Sequence, residues 1–429
     1  MRLYKYLPVP SDRMGLLWTL GSIKDICIVE YGPAGTTHYA MESLMRMNAE
    51  LRAGLYTTDM DESEVVMGDT SRLETTIREV DQMYRPSVIC VVGSSLVAVT
   101  GIDLKGVCHE LQPEIAARLI AFESGGFQGD YPVGIREGLR ILAEEAVKPP
   151  LRKEARTYNI IGCTIDMYNF AADLRELERL MERAFGYRLG TVFTAGTALP
   201  AIETAAAAEF NLVLRSEGLA AAKVLQERYG QHYVVGCPYG LKGTVAWLEK
   251  VGAILGRKPD TGYLAEETAV LQPQLFRQHM ALFPYRKLQT VLAGAYDFLT
   301  EFAPFLVEEL GLELTVLIVN HQLGAADRHG LSQALRERLI AVDQETAVDT
   351  LLKETRPQLV LGDGMLITRV AANAIKIQVS NPNLDRILLY EHTPWVGFRG
   401  VTYLIERLLN EIHVRGSGLP ARGSGAVQR

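Results

Sequence analysis

The chain has 429 residues, of which 48% are hydrophobic and 22% charged, enough for a sizeable core and too apolar for global disorder. A formal net charge of −7 without clustered Lys and Arg argues against a nucleic-acid face. The N-terminus has no apolar signal core and no apolar run reaches the roughly 20 residues of a membrane helix, so a cytoplasmic protein with no membrane partner is expected. Cys27, Cys90, Cys108, Cys163 and Cys237 lie far apart without CxxC or Cys/His spacing, which predicts no self-contained metal motif.

In chain order, the first organised stretch is Lys24–Tyr39, KDICIVEYGPAGTTHY. Ile26–Val29 reads as a strand, and Gly32-Pro33-Ala34-Gly35 as a sharp turn. Thr36 and Thr37 are candidate N-caps for a helix from about His38 to Leu51. Backbone amides and small polar side chains thus gather at the carboxyl end of a buried strand, where α/β folds bind ligands, although an ordinary strand-to-helix turn uses the same residues. TTDMDESEVVMGD follows as an acidic loop, then a helix over Ser71–Tyr84. SVICVVG is a continuous apolar run of the kind buried on both faces, and it ends in Gly93-Ser94-Ser95. A strand over Ala116–Phe122, the glycine-rich ESGGFQGDYPVG and a helix through Ala146 lead to Lys148-Pro149-Pro150, which closes a first domain, residues 1–150.

In a second domain, residues 151–263, the runs NIIG, LGTVF, FNLVL and HYVVG alternate with helices. A third, residues 264–412, opens with a helix from about Leu264 to Leu282. There KLQTVLAG, LELTVLIV, RLIAV, QLVLGDG and IKIQVS alternate with helices again. RILLYEHTPWVGFRG then gives a strand and loop before a final helix over Val401–Ile412, and residues 413–429 read as a disordered tail. The expected fold class is therefore α/β, with three Rossmann-like domains whose parallel sheets surround a central crevice. Strand-end loops carrying Cys163, Thr194 and Cys237, together with His392 and Arg399, are candidates to line that cavity.

IKDICIVEYGPAGTTHY, SSLVAVTGIDL, GTALPAIETAAAAEFNLVL and HTPWVGFRG, in this order, resemble the component 1 family of nitrogenase and its relatives, the light-independent protochlorophyllide reductase and chlorophyllide reductase. The opening MRLYKYLPVP is most similar to the B subunit of the protochlorophyllide enzyme. In that family, cysteines at the position of Thr36, near Pro10 and at about Ser95 hold a cluster between homologous subunits, and the B subunit has an Asp at the position of Thr36. None of these positions is a thiolate or carboxylate here. The resemblance then implies that the isolated chain binds no iron–sulfur cluster and that a partner, either a homologous cysteine-bearing subunit or a second copy, supplies the ligands. Pro10, Thr36, Thr37, His38, Ser94 and Ser95 would lie beside the cluster, with hydroxyls tuning rather than ligating it.

The same resemblance implies a reductase subunit served by an ATP-dependent iron protein. The alternative is a scaffold that assembles or carries a metallocofactor, or a ligand-binding member without redox activity. A tetrapyrrole or a small carbon–sulfur compound fits equally as substrate. The expected partner face combines Met14–Trp18, Gly32–Tyr39 and Ser94–Gly101; burial of Leu17 and Trp18 in the first core is the other reading.

Overall fold

Strand β1 (Ile26–Tyr31) is buried along its whole length, and its alternate side chains enter two cores. Ile26 and Ile28 join one, whereas Cys27, Val29 and Tyr31 join the other. The computed structural model describes residues 9–45, 50–61, 64, 67–123, 125–285, 287–323, 331–341, 345–382 and 392–416. Parallel pairing joins β1 to β2 (Gly54–Thr57) and β3 (Val88–Gly93), and β3 to β4 (Arg118–Phe122), in the order β2-β1-β3-β4. The helices of this part are α1 (Asp12–Leu20), α2 (Ala34–Met45), α3 (Ser71–Tyr84), α4 (Ser95–Thr100), α5 (Leu104–Leu111) and α6 (Tyr131–Ile141).

Three local expectations need correction. Met14, Leu16, Leu17 and Trp18 are buried in α1 against α6 and cannot form a partner face. Helix α2 begins at Ala34, so Thr36 and Thr37 lie in its first turn instead of capping it. Strand β2, which precedes the acidic stretch and shares only Thr57 with it, was not expected, being a half-buried edge strand too short to show periodicity.

The next sheet has the order β6-β5-β7-β8, all parallel, from β5 (Thr157–Cys163), β6 (Arg188–Thr194), β7 (Phe210–Val213) and β8 (His232–Val235). Between these strands the chain forms α7 (Phe170–Phe185) and α8 (Leu219–Tyr229). Of the described residues, 9–170 and Phe185–Gly236 form one compact unit, and the two sheets within it share a continuous core. Trp18 and Leu139 from the first part belong to the same apolar cluster as Phe193, Ile202 and Leu225 from the second.

The other compact unit comprises Ala171–Ala184 and the chain from Cys237 onward. It holds α9 (Gly240–Leu255), α10 (Thr261–Leu282), α11 (Tyr296–Pro304), α12 (Glu345–Thr355), α13 (Gly364–Arg369) and α14 (Gly397–Gly416). Its parallel sheet runs β11-β10-β9-β12-β13, with β9 (Thr290–Gly294), β10 (Leu314–Val319), β11 (Leu339–Ala341), β12 (Leu359–Asp363) and β13 (Ile375–Ser380). The α/β class with three parallel sheets is as expected. The last helix continues through Gly416, so residues 413–416 are helical where a disordered tail was expected, while the rest of that tail, 417–429, and most of the strand expected within RILLYEH lie outside the described residues. Among the described residues no helix is long and apolar enough to cross a membrane.

Candidate functional site

The order β2-β1-β3-β4 reverses between β1 and β3, and open α/β sheets bind ligands beyond the strand ends at such a reversal. Here that place is built around Glu30, the one charged residue of a wholly buried strand. Arg13, also buried, reaches from α1 and donates to Glu30 Oε1. Thr36 donates to the same oxygen at 3.2 Å, and Thr37 donates to Oε2 at 2.7 Å. Arg13 also donates to the Thr36 carbonyl at 3.2 Å, which closes the loop on the strand.

Asp12, the neighbour of Arg13, holds the glycine-rich loop, accepting from the Gly126 N–H at 3.2 Å. Burial pushes its carboxyl pKa up, against the pull of that N–H. Gly32 touches the third loop: a Cβ there would sit 2.4 Å from the Ser94 Cβ. Ser94 is fully buried, Ser95 is half-buried and His38 is exposed. The Pro10 carbonyl accepts from the Tyr131 N–H at 2.8 Å. The first turn of α1 thus ties the loops after β1 and β4 together, and Gly32 brings in the loop after β3. Around them Tyr39, Leu96, Val99 and Phe127 are exposed, Val99 by 73% and Phe127 by 68%.

The second sheet reverses between β5 and β7, and another buried pair lies there. Arg215, just after β7, donates to Asp166 Oδ2 at 2.7 Å and Oδ1 at 2.9 Å, and to the Thr164 hydroxyl. Burial would raise the Asp166 pKa, but the guanidinium outweighs it and holds the carboxyl below the ordinary range. Cys163 is buried at the end of β5. Thr194 is buried as well, and its hydroxyl donates to the Thr19 carbonyl while its own carbonyl accepts from Ser22 at 3.0 Å.

In the other unit, carboxylates hold loop N–H groups. Cys237 donates its N–H to Glu301 at 2.7 Å, and Leu241 donates to Glu309 at 2.8 Å. Trp395 and Val396 donate to Asp173 at 2.7 and 3.3 Å, and Arg399 donates to Glu176 at 3.3 Å. Burial pushes Asp173 up to about 7 and Glu301 up to about 8, against the N–H donors that favour the charged forms. The Pro238 carbonyl accepts from Gly397 at 2.7 Å, so the Cys237 and Trp395 loops are joined directly. His392 and the Arg399 side chain are exposed.

A sequence model of the family described as nitrogenase component 1 type oxidoreductase matches residues 11–413. The chain belongs to this family. It is 26% identical over 417 residues to the nitrogenase iron-molybdenum cofactor biosynthesis protein NifE of Nostoc sp., covering 93% of this chain and 82% of that protein. It is 23% identical over 425 residues to the B subunit of the light-independent protochlorophyllide reductase from Heliobacterium modesticaldum, covering 95% and 79%. A solved structure titled nitrogenase Cp1 at pH 6.5 superposes with a TM-score of 0.82 at 17% identity, covering 100% of this chain and 98% of that one, and so shares the fold.

Metal–sulfur clusters are general in the component 1 family, so the donor set at the first reversal can be tested for one. The buried polar atoms there without a partner are Asp12 Oδ1, Arg13 Nε and Ser94 Oγ. Asp12 offers one carboxylate oxygen, in a carboxyl that burial pushes toward its protonated form, and one such atom does not make up the several ligands a cluster needs. A guanidinium N–H cannot ligate iron, a serine hydroxyl is a poor ligand beside thiolate, and the Glu30 carboxylate is already held by three donors. Nor do the nearby thiols fit: burial raises the pKa of Cys27 and Cys90 and pushes Cys108 up to about 12. The described residues at this reversal do not fit a cluster held by them alone. Sequence reading passed over Asp12, Arg13 and Glu30, although a lone glutamate within ICIVEY is itself a signal, since buried charges need partners.

Proposed function

We propose that this chain is a non-ligating subunit of a nitrogenase-like assembly, paired through the loops at the end of its first sheet with a homologous, cysteine-bearing chain. That partner holds the iron–sulfur cluster. In this reading an ATP-dependent iron protein delivers electrons to the cluster, and the substrate is reduced in the pair. The observation that carries it is the closed Arg13–Glu30–Thr36–Thr37 network, which among the described residues holds no thiolate donor, ringed by the exposed apolar side chains Tyr39, Leu96, Val99 and Phe127. Exposed apolar groups beside ordered loops suit a partner surface.

Similarity to NifE, named for cofactor biosynthesis, supports a second reading in which the pair builds or carries a metallocofactor and hands it on. Anaerobic co-expression with a cysteine-bearing component 1 homologue from the same genome, followed by iron analysis and EPR, tests both. An iron-bearing pair is expected, alongside an iron-free isolated chain. Electron-driven turnover with the iron protein supports the reductase, and release of the cluster to an acceptor protein supports the scaffold. Val99→Asp and Phe127→Asp should abolish pairing while leaving the thermal midpoint of the isolated chain unchanged. A pair that survives both changes would refute this face.

A further inference from the structure

Two of the three strand-order reversals carry a buried arginine–carboxylate pair: Arg215–Asp166 spans β5/β7, and Arg13–Glu30 lies at the β1 side of β1/β3. We infer that the two places where this fold would ordinarily bind ligands have been turned into internal locks, closed to metal ions and to phosphate-bearing ligands alike. Each lock joins segments distant in sequence. Arg13 of α1 is tied to Glu30 of β1 and to the Thr36 carbonyl, and Arg215 after β7 is tied to Thr164 and Asp166 after β5.

The chemistry excludes both ligand classes. All four carboxylate oxygens have donors: Glu30 Oε1 takes Arg13 and Thr36, and Oε2 takes Thr37. Asp166 Oδ1 takes Thr164 and Arg215 Nη2, and Oδ2 takes Arg215 Nη1. A cation arriving at either carboxylate meets a guanidinium first. An anion drawn to either guanidinium meets the carboxylate already seated on it. Gly162, at a φ of 89°, lets Arg215 lie across the strand end, since a Cβ there would be 3.2 Å from the Arg215 Cγ. A ligand could enter only by parting a buried pair, and the charge left behind would be uncompensated.

The test uses the full-length chain alone, so its outcome is separate from that of the pairing proposed above. Thermal midpoints are measured with ferrous iron plus sulfide, with inorganic phosphate and with Mg-ADP. The wild type should respond to none of them. Arg215→Ala leaves a cavity shaped for a guanidinium beside an orphaned carboxylate. Its lowered midpoint should recover saturably with millimolar methylguanidinium, but not with methylammonium at equal ionic strength. Should Arg215→Ala fail to fold, Arg215→Lys keeps the charge and loses the two-pronged contact. Hydrogen-exchange protection of residues 164–169 should then fall at least about tenfold with β1–β4 unchanged. For the first lock, Glu30→Gln should lower protection of the loops around residues 32–37, and Arg13→Met with Glu30→Leu should restore most of the lost midpoint. A wild-type midpoint raised by iron, phosphate or nucleotide would overturn the inference. So would an Arg215→Lys variant with wild-type protection.

Discussion

Gly32 has no space for even a methyl group, because an added Cβ would meet the Ser94 Cβ at 2.4 Å and its Oγ at 2.6 Å. Gly32→Ala should therefore force the loops after β1 and β3 apart and cost about 1–3 kcal/mol, as overpacking of a close contact generally does. Urea denaturation of the isolated chain checks this, and an unchanged midpoint would mean that the loops yield freely. The glycine cluster was legible in the sequence; its reason was not. Gly32 faces Ser94, and Glu30 faces Arg13, across separations that no local pattern encodes. Thr36 and Thr37 show the same limit. Their positions after a strand predict capping, but tertiary structure supplies a better acceptor in Glu30.

Strands buried on both faces were legible as continuous apolar runs, and β3 and β5 fall where SVICVVG and NIIG place them. Edge strand β2 was not, since four half-buried residues carry little periodic signal. Register in the second sheet has a polar device as well. Asn159 donates to Asn211 at 2.9 Å and to the Ala205 carbonyl at 2.9 Å. Gln231 donates to the Ala205 and Ala208 carbonyls at 2.9 and 2.7 Å. All three amides are buried. Asn211→Ala removes the acceptor of one and should destabilise the chain by about 1–3 kcal/mol, the cost of orphaning a buried donor. Asn211→Asp should be worse at neutral pH, because it adds a charge without a counterion. Equal midpoints for the alanine variant and wild type would show that water replaces the lost partner.

For the whole molecule, the buried carboxylates set opposing pH dependences. Asp173 and Glu301 have folded pKa values raised by burial to about 7 and about 8. Their contribution to stability is full below the ordinary carboxylate range and is lost as pH rises through those values. Asp166, held low by Arg215 despite its burial, contributes above the ordinary range and loses that contribution as pH falls below it. The unit containing Cys237–Gly256 should thus lose hydrogen-exchange protection between about pH 4 and about pH 8, with Asp173→Asn flattening the change. A protection that rises with pH over this interval would contradict the assignment.

The core common to the first two sheets has a further consequence for how the chain breaks. Leu151–Arg156 is exposed throughout, with Arg152 and Lys153 offering tryptic sites between the sheets. Cutting there severs the peptide but not the apolar cluster that runs from Trp18 to Leu225. The nicked protein should elute undivided from a sizing column and separate only in denaturant. The two pieces should also reassemble when produced as separate polypeptides, each completing the other as the halves of a split protein do.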